Sequence, residues 1–284
     1  SVDTGAEIPT LGHEIGQWEI YPDYDEIAKY TGNLKPYNME KYRESLRAHG
    51  MMEQNKDFAK ASGKFSTILY KEDVEAGIRT YPYAGFHILE ARDYPGQGAA
   101  LVGWLDAFWD SKGLITPEEF KKFADATVLI MRMPERIFTS GEAFTGFAQI
   151  AHYGKDDFKF VPEWKLVDES GKAVAAGKME EAEVDAGRIS NLGALEIPLT
   201  CDKACKLTLT LSGAGTENSW DIWVYPDIEI NEPKNARIAY NEIDLVLLFT
   251  DPNTTDPWDD AQMIETIRHC DRHNVPIATN LASA

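Results

Sequence analysis

Cysteine is scarce in this chain of 284 residues, which contains only three, at positions 201, 205 and 270. Cys201 and Cys205 stand close together, but no further cysteine or histidine completes a metal-binding set with them. Neither a His-Glu-x-x-His motif nor a Gly-x-Ser-x-Gly motif occurs. The sequence therefore predicts no metal site and no cofactor, and its cysteine content leaves the redox compartment open.

Long apolar runs and basic residues are also lacking. The longest apolar run, over 243–249, is interrupted by Asp244 and is far shorter than the ~20 residues of a membrane-spanning helix. The first residues have neither the basic start nor the apolar stretch of a signal peptide. Lys and Arg number 28 against 47 Asp and Glu, a formal net charge of −19. Such an acidic surface repels phosphate backbones and anionic membranes, which excludes nucleic acid and membranes as expected partners.

The composition, 43% hydrophobic and 26% charged residues, is that of a folded protein. Residues 1–126 mix short apolar runs with helical patterns. Helices are expected over 66–79 and 116–126, the second because Thr116 can cap a helix that begins with proline and acidic residues. The compact apolar run 85–89 is typical of a buried parallel strand. Residues 1–126 are therefore predicted to have an α/β fold.

Residues 127–232 change to short segments of alternating polarity that are separated by turn signals. The segments with this alternation are 143–152, 163–168, 194–198, 206–211 and 219–225. Strands at this spacing, with no helices between them, predict an all-β domain, an antiparallel β-sandwich.

Residues 233–284 return to an α/β pattern. A strand is expected over 243–249, an amphipathic helix over 259–273 and a second strand over 275–280. Strand, helix and strand in this order predict a right-handed parallel unit. One such unit cannot bury both faces of its sheet, so we expect it to be part of a larger α/β domain.

The segment 12–18, Gly-His-Glu-Ile-Gly-Gln-Trp, carries the first candidate site. A short strand over 8–11 would deliver Glu14 to its carboxyl end, the edge where barrel enzymes hold their active sites. A glycosidase needs a carboxylate there, to attack the anomeric carbon or to transfer protons. Trp18 could offer an aromatic face to a sugar ring. The alternative is that His13 and Glu14 are structural residues of an ordinary loop.

A second candidate segment, 90–98, follows the expected strand 85–89 and contains Asp93 and Gln97. It would line a ligand site, or it is an ordinary loop in which Arg92 and Asp93 pair locally. The aromatic residues that follow, among them Trp109, belong either to a core or to a cleft.

A third candidate segment, 250–260, places Asp251 after a strand and before a helix, the usual ligand edge of an α/β sheet. The alternative is that its acidic residues only cap and stabilise that helix.

A series of motifs runs in order through the first 226 residues. Among them are His-Glu-Ile-Gly-Gln-Trp at 13–18, Tyr-Pro-Asp-Tyr at 21–24, Ala-Gly-Phe-His-Ile-Leu at 84–89, Asp-Tyr-Pro-Gly-Gln-Gly at 93–98, Leu-Val-Gly-Trp-Leu-Asp-Ala-Phe-Trp-Asp-Ser-Lys at 101–112 and Asn-Ser-Trp-Asp-Ile-Trp-Val-Tyr-Pro at 218–226. With these motifs the stretch resembles the carboxyl-terminal part of Bacteroides-type proteins of glycoside hydrolase family 2, the family of β-galactosidase and β-glucuronidase.

This resemblance implies that 1–126 is the carboxyl-terminal part of a TIM barrel and 127–232 a β-sandwich. It implies that Glu14 is the nucleophile of a retaining glycosidase. The residues that it implies for sugar binding are His13, Gln17, Trp18, Asp93, Gln97 and Trp109. The family's acid/base glutamate comes from a strand that would precede residue 1, so this chain would supply one of the two carboxylates a retaining mechanism needs. A β-glycoside ligand and a periplasmic or extracellular location are also implied.

Two motifs near the end resemble another family. They are Ala-Arg-Ile-Ala-Tyr-Asn-Glu-Ile-Asp-Leu-Val-Leu-Leu-Phe-Thr-Asp-Pro at 236–252 and Asn-Val-Pro-Ile-Ala-Thr-Asn-Leu-Ala-Ser-Ala at 274–284. They resemble methylglyoxal synthase, a lyase that eliminates phosphate from dihydroxyacetone phosphate. Asp251 is retained, but Trp258 stands at that family's histidine position and Ala261 at its last aspartate position. The phosphate-binding and Gly-Gly-Asp segments have no counterpart, so lyase activity is not expected.

Three hypotheses follow. The chain is a glycosidase fragment with Glu14 as nucleophile, a non-catalytic carbohydrate-binding or scaffold module, or a methylglyoxal synthase-like lyase. Carbohydrate is the expected ligand. A half barrel also exposes strand edges that need covering, which predicts a protein partner, either the missing barrel half or a second copy of the chain.

Overall fold

The computed structural model describes residues 10–80, 83–95 and 100–227, together with the backbone of two short strands at 246–247 and 277–278. The chain divides into two compact units, Ser1–Asp227 and Ile228–Ala284. No helix in the described ranges is long and apolar enough to cross a membrane.

The described elements of the first unit are mostly strands, with few helices. In chain order they are β1 (Thr10–Ile15), a 3₁₀ helix (Tyr24–Lys29), α1 (Tyr37–Ala48), a 3₁₀ turn (Met52–Gln54), α2 (Asn55–Ile78), β2 (Tyr83–Ile88), α3 (Pro117–Lys121), β3 (Thr127–Arg132), β4 (Ile137–Thr139), β5 (Ala143–His152), β6 (Phe158–Phe160), β7 (Glu163–Asp168), β8 (Ala173–Lys178), β9 (Ala182–Val184), β10 (Arg188–Pro198), β11 (Cys205–Gly213) and β12 (Thr216–Tyr225).

The described part of 1–126 contains one sheet, in which β1 and β2 run parallel and α2 contacts both strands. Ile20, Tyr70, Trp104 and Leu114 form a buried apolar cluster in this region. The sheet has two described strands, so the expected barrel end remains a prediction, as do the domain boundaries. What the structure does provide is a parallel pair of strands in which Ile15, the residue after Glu14, pairs with Ile88 near the carboxyl ends of both strands.

Helix α2 begins eleven residues before the predicted 66–79 helix. The added turns contain Gly63, which ordinarily disfavours a helix. A Cβ at Gly63 would lie 2.5 Å from a methyl carbon of Leu114, so glycine lets the segment 113–115 pack closely on the helix. Helix α3 begins as predicted, because Thr116 and Glu119 form a reciprocal capping box, but it ends at Lys121 rather than at 126.

Residues 127–225 form stacked β-sheets compatible with the predicted β-sandwich. One sheet has the order β10-β5-β3, another the order β4-β12-β11-β7-β8, and β6 pairs with β9. All of these pairs are antiparallel except β12 with β4. A single buried apolar core, which includes Leu129, Phe144, Leu209 and Trp220, fills the space between the sheets.

The second unit contains two described strands, β13 (Val246–Leu247) and β14 (Ile277–Ala278), which pair in parallel. Both fall inside the segments predicted as strands, and their parallel pairing agrees with the predicted unit. The helix predicted over 259–273 lies outside the described residues.

Candidate functional site

Glu14 lies at the carboxyl end of β1, beside β2. Its backbone adopts a left-handed conformation with φ of 50°, and Gly16 follows with φ of 78°. A Cβ at Gly16 would lie 2.2 Å from the Tyr70 ring, so only glycine fits between this turn and α2. The chain therefore leaves β1 in a tight turn that directs the Glu14 side chain out of the regular strand pattern.

The Glu14 carboxylate has two polar neighbours from the same segment. Gln17 Nε2 donates to Glu14 Oε2 over 3.3 Å and to the Glu14 carbonyl oxygen over 3.2 Å. His13 Nε2 lies 3.6 Å from Glu14 Oε1. The other ring nitrogen of His13, Nδ1, shares a hydrogen bond of 2.8 Å with Nε2 of His87 on β2. A polar chain of Glu14, His13 and His87 thus crosses from β1 to β2.

Trp18 is held in place by α2. Its indole Nε1 donates to Asp73 Oδ2 over 2.8 Å, and its carbonyl oxygen accepts from Ser66 Oγ over 3.0 Å. The residue is nevertheless 39% exposed. A fixed and accessible indole four residues from an accessible carboxylate is an arrangement suited to a sugar ring.

The structure therefore brings together four of the predicted site residues, namely His13, Glu14, Gln17 and Trp18. It adds His87 and Asp73, which the sequence did not assign to the site. His87 could have been noticed in the sequence, because it is a polar residue inside the apolar run 85–89 that was expected to be a buried parallel strand. Nothing in the sequence indicated that Asp73 belongs to the site, since a carboxylate on an amphipathic helix is usually solvated.

Asp93 is buried and forms an ion pair that neither sequence interpretation named. It is 2% exposed, and its Oδ1 accepts from Lys112 Nζ over 2.6 Å and from the Gly103 amide over 3.1 Å. Burial raises the pKa of Asp93, and the Lys112 ammonium opposes that effect. The predicted local pairing of Arg92 with Asp93 is wrong, because Arg92 instead lies 3.8 Å from Glu90.

Trp109 is 62% exposed and has a left-handed φ of 71°. The Arg92 guanidinium lies 5.1 Å from the centre of its ring, a cation–π distance. Within the described residues, the ring and hydrogen-bond contacts of Asp93 and Trp109 do not reach Glu14 or Trp18. Trp109 is therefore a surface aromatic, while its neighbour Trp104 belongs to the core with Tyr70.

A second polar region, the Glu26 cavity, is lined by charged residues that include Glu26, Lys29, Asp93, Asp106 and Lys112 and encloses about 400 Å³. Glu26 is 6% exposed, and burial together with the negative charges of Asp93 and Asp106 raises its pKa to about 6. Lys29 pairs with Asp106 and, at 2.6 Å, with Asp110, which raises the pKa of Lys29. Internal ion pairs account for most of these charges.

Two predicted residues, Gln97 and Asp251, lie outside the described residues. Among the residues that are described, no group of three or more His, Cys, Asp or Glu side chains could hold a metal ion.

Comparison with protein families gives a match over residues 142–226 to a family described as "Domain of unknown function (DUF8488)". The match covers β5 to β12, the greater part of the sandwich, and it carries no statement of function.

Solved structures with a similar fold include glycoside hydrolases. The β-D-mannosidase from Dictyoglomus thermophilum aligns over 78% of this chain and 28% of that chain, with a TM-score of 0.50 and 12% identity. A glycosyl hydrolase family 2 member from Bacteroides cellulosilyticus aligns over 33% of this chain and 14% of that chain, with a TM-score of 0.24 and 18% identity. At these identities the mannosidase alignment shows a shared fold alone.

Curated relatives are methylglyoxal synthases, matched over short segments. The enzyme from Caldicellulosiruptor saccharolyticus is 47% identical over 47 residues, which are 16% of this chain and 33% of the enzyme. The enzyme from Carboxydothermus hydrogenoformans is 49% identical over 49 residues, 17% of this chain and 40% of the enzyme. The chain thus spans about two fifths or less of these relatives.

Proposed function

We propose that the chain is a carbohydrate-active fragment of the glycoside hydrolase family 2 type, in which Glu14 is the nucleophile of a retaining mechanism. The observation that carries the proposal is the position of Glu14. It lies at the carboxyl end of a parallel strand, its side chain is 39% exposed, and an accessible tryptophan follows four residues later in the chain. Barrel enzymes hold their catalytic groups at this edge of the sheet.

In this proposal Gln17 and His13 orient the carboxylate, since both lie within 3.6 Å of its oxygen atoms. Trp18 offers its ring to the apolar face of a sugar, held by Asp73. Asp93 acts at a distance by holding the Gly103 segment through its hydrogen bond to that amide. Trp109, whose side chain is exposed, and Gln97 are further sugar-binding candidates that rest on the family resemblance.

A retaining mechanism requires a second carboxyl group about 5 Å from the first, to protonate the leaving group. In the proposal this second carboxyl group comes from a barrel strand that would precede residue 1. Glu14 alone could still attack the anomeric carbon when the departing group needs no proton. An activated aryl glycoside meets that condition, because a dinitrophenolate leaves as a stable anion.

The test is therefore covalent labelling of this chain with dinitrophenyl 2-fluoroglycosides of several sugar configurations. The Glu14 carboxylate would displace dinitrophenolate and form a glycosyl ester that the fluorine substituent stabilises against hydrolysis. We expect one sugar per chain, located by peptide mapping on the peptide that contains Glu14, and no labelling of Glu14→Gln. The exposed neighbour Glu19 supplies the matched control, since Glu19→Gln should be labelled like the unmodified chain.

Labelling that persists in Glu14→Gln would show that the nucleophile is assigned wrongly. Absence of labelling, combined with sugar binding in titration calorimetry, would favour the non-catalytic carbohydrate-binding module instead. Absence of both would leave a scaffold.

A further inference from the structure

Two thiols meet at one end of the β-sandwich. Cys205 is the first residue of β11 and stands opposite Val224 of β12 in the antiparallel register. Cys201, in the loop that leads from β10 to β11, places its Sγ 3.5 Å from the carbonyl oxygen of the same Val224. Residues opposite each other in an antiparallel pair have Cα atoms about 4.5–5.5 Å apart, so the two cysteines flank one residue.

The side chains of both cysteines contact the apolar core of the β-sandwich. Cys201 and Cys205 are both half-buried. The Cys201 amide donates to Ser140 Oγ over 2.9 Å, which fixes the start of the loop. The Cys201 thiol is a close enough neighbour of Cys205 to contribute to the raised pKa of the Cys205 thiol. Because both cysteines approach Val224 and pack on the same core, at the two ends of a five-residue loop, their side chains are placed for a disulfide.

We propose that Cys201 and Cys205 are a reactive dithiol that a small-molecule disulfide, such as oxidised glutathione, converts into an intramolecular disulfide. One cysteine thiolate attacks the glutathione disulfide and releases the first glutathione as a thiol. The second cysteine then attacks the mixed disulfide and releases the second glutathione. Two cysteine thiols are oxidised, one glutathione disulfide is reduced, and both protons end on glutathione thiols.

The bridge would join the segment after β10 to the start of β11. Burial and the neighbouring Cys201 thiol raise the pKa of Cys205, so the thiolate fraction, and with it the oxidation rate, should increase toward alkaline pH. Oxidation would be favoured in an oxidising compartment and reversed by a reducing one.

The experiment uses the full chain with Cys270→Ser, so that two thiols remain. The folded protein is incubated with oxidised glutathione, and its peptides are mapped without reduction. We expect one peptide pair linked through Cys201 and Cys205, with a mass lower by two hydrogen atoms and no bound glutathione. Cys201→Ser is the matched control and should retain glutathione on Cys205. Two glutathione adducts on the Cys270→Ser chain, or two free thiols, would overturn the proposal.

Cysteines this close in sequence can also pair in an unfolded chain, so a second measurement tests the fold. The chain is equilibrated in glutathione redox buffers with and without urea. Half-reduction of the bridge in the folded protein should require a ratio of reduced to oxidised glutathione about tenfold or more higher than in urea. The reason is that folding holds the two thiols together. A folded bridge that is reduced as easily as the unfolded one, or more easily, contradicts the proposed preorganisation.

Discussion

At the scale of single residues, backbone conformation separates the candidate site from ordinary turns. Three described non-glycine residues have left-handed φ values, Glu14, Trp109 and Ala214. Ala214 occupies the tight turn between β11 and β12, where such values are usual. Trp109 also lies in a tight turn, closed by the bond from its amide to the Asp106 carbonyl oxygen and by the antiparallel bridge between Leu105 and Ser111. Glu14 has no hairpin to explain its φ, and it bears a conformational cost of about 1–2 kcal/mol. Strain of this kind concentrates at functional sites, which supports the role proposed for Glu14.

Glu26 gives the sharpest prediction for a single residue. Its pKa rises from 4.5 to about 6 on folding, so below pH 4.5 the carboxyl is protonated in both states. Between pH 4.5 and 6 the folded state binds more protons than the unfolded state, so the free energy of unfolding falls as pH rises. Solvent that reaches the cavity screens the charge, so we expect a loss of about 1–2 kcal/mol.

Glu26→Gln should remove this loss and stabilise the protein above pH 6, while it changes little at low pH. Denaturant unfolding from pH 4 to pH 8 measures the effect. The exposed Glu44→Gln variant on α1 is the control and should follow the parent chain. A Glu26→Gln chain whose stability runs parallel to the parent at every pH would show that Glu26 titrates normally.

At the scale of elements, α2 connects the candidate site with the sandwich. Toward the site it presents Ser66, Tyr70 and Asp73, which hold the Gly16 to Trp18 turn. Toward the sandwich it presents Glu75, which is 1% exposed and accepts from Asn218 Nδ2 at 2.8 Å, from Trp220 Nε1 at 2.9 Å and from Lys71 Nζ at 2.5 Å. One helix therefore sets the position of both regions.

Glu75→Gln should be strongly destabilising, because it removes the partner of the buried Lys71 ammonium. Losing one member of a buried ion pair costs about 3 kcal/mol or more. The control is Glu72→Gln on the same helix. Glu72 pairs with Arg136, but its side chain is 38% exposed, so this ion pair should contribute less than about 1 kcal/mol to the free energy of unfolding. Denaturant unfolding compares the two. Equal losses would show that the buried Glu75 contacts stabilise the protein no more than the exposed Glu72–Arg136 pair does.

Elements with a local signal were predictable from the sequence. The predicted segments 143–152 and 163–168 match β5 and β7 to the residue. Turn signals between the segments, such as Glu-Ser-Gly-Lys at 169–172, make strand ends recognisable in the sequence. Strand β3 was missed because its residues Val128 to Met131 are all buried, which removes the alternation. The first turns of α2 were missed because Gly63 is retained for contact with Leu114, fifty-one residues away.

The candidate site also has one part that the sequence predicts and another part that it does not. The segment 13–18 was predictable because its residues are neighbours in sequence and in space. The pairing of Asp93 with Lys112, and of His13 with His87, joins residues that are distant along the chain, and no local pattern encodes such pairs. Sequence reasoning supplied Arg92 as the partner of Asp93 because it was adjacent, and tertiary packing overrode that choice.

At the scale of the whole molecule, the sandwich is the part whose sheets bury a continuous core, while the parallel pair β1–β2 is less covered. Parallel sheets are ordinarily buried on both faces. Here Leu11 on β1 is 59% exposed, and Ala84 and His87 on β2 are exposed as well. The mannosidase that shares the fold is much longer, since the alignment covers 28% of it. An exposed parallel pair of this kind is a surface on which another protein surface could pack.

We therefore expect the chain to associate with itself at high concentration through the β1–β2 face. Leu11→Lys should weaken that association about tenfold, because burial of a leucine side chain contributes ~1.5 kcal/mol or more and a lysine there opposes it. Sedimentation velocity over a wide concentration range measures the change. Leu34 is similarly exposed, at 55%, but lies in the loop before α1, so Leu34→Lys is the matched control and should associate like the parent chain. A parent chain that stays monomeric throughout, or equal effects of the two variants, would show that the β1–β2 face does not mediate self-association.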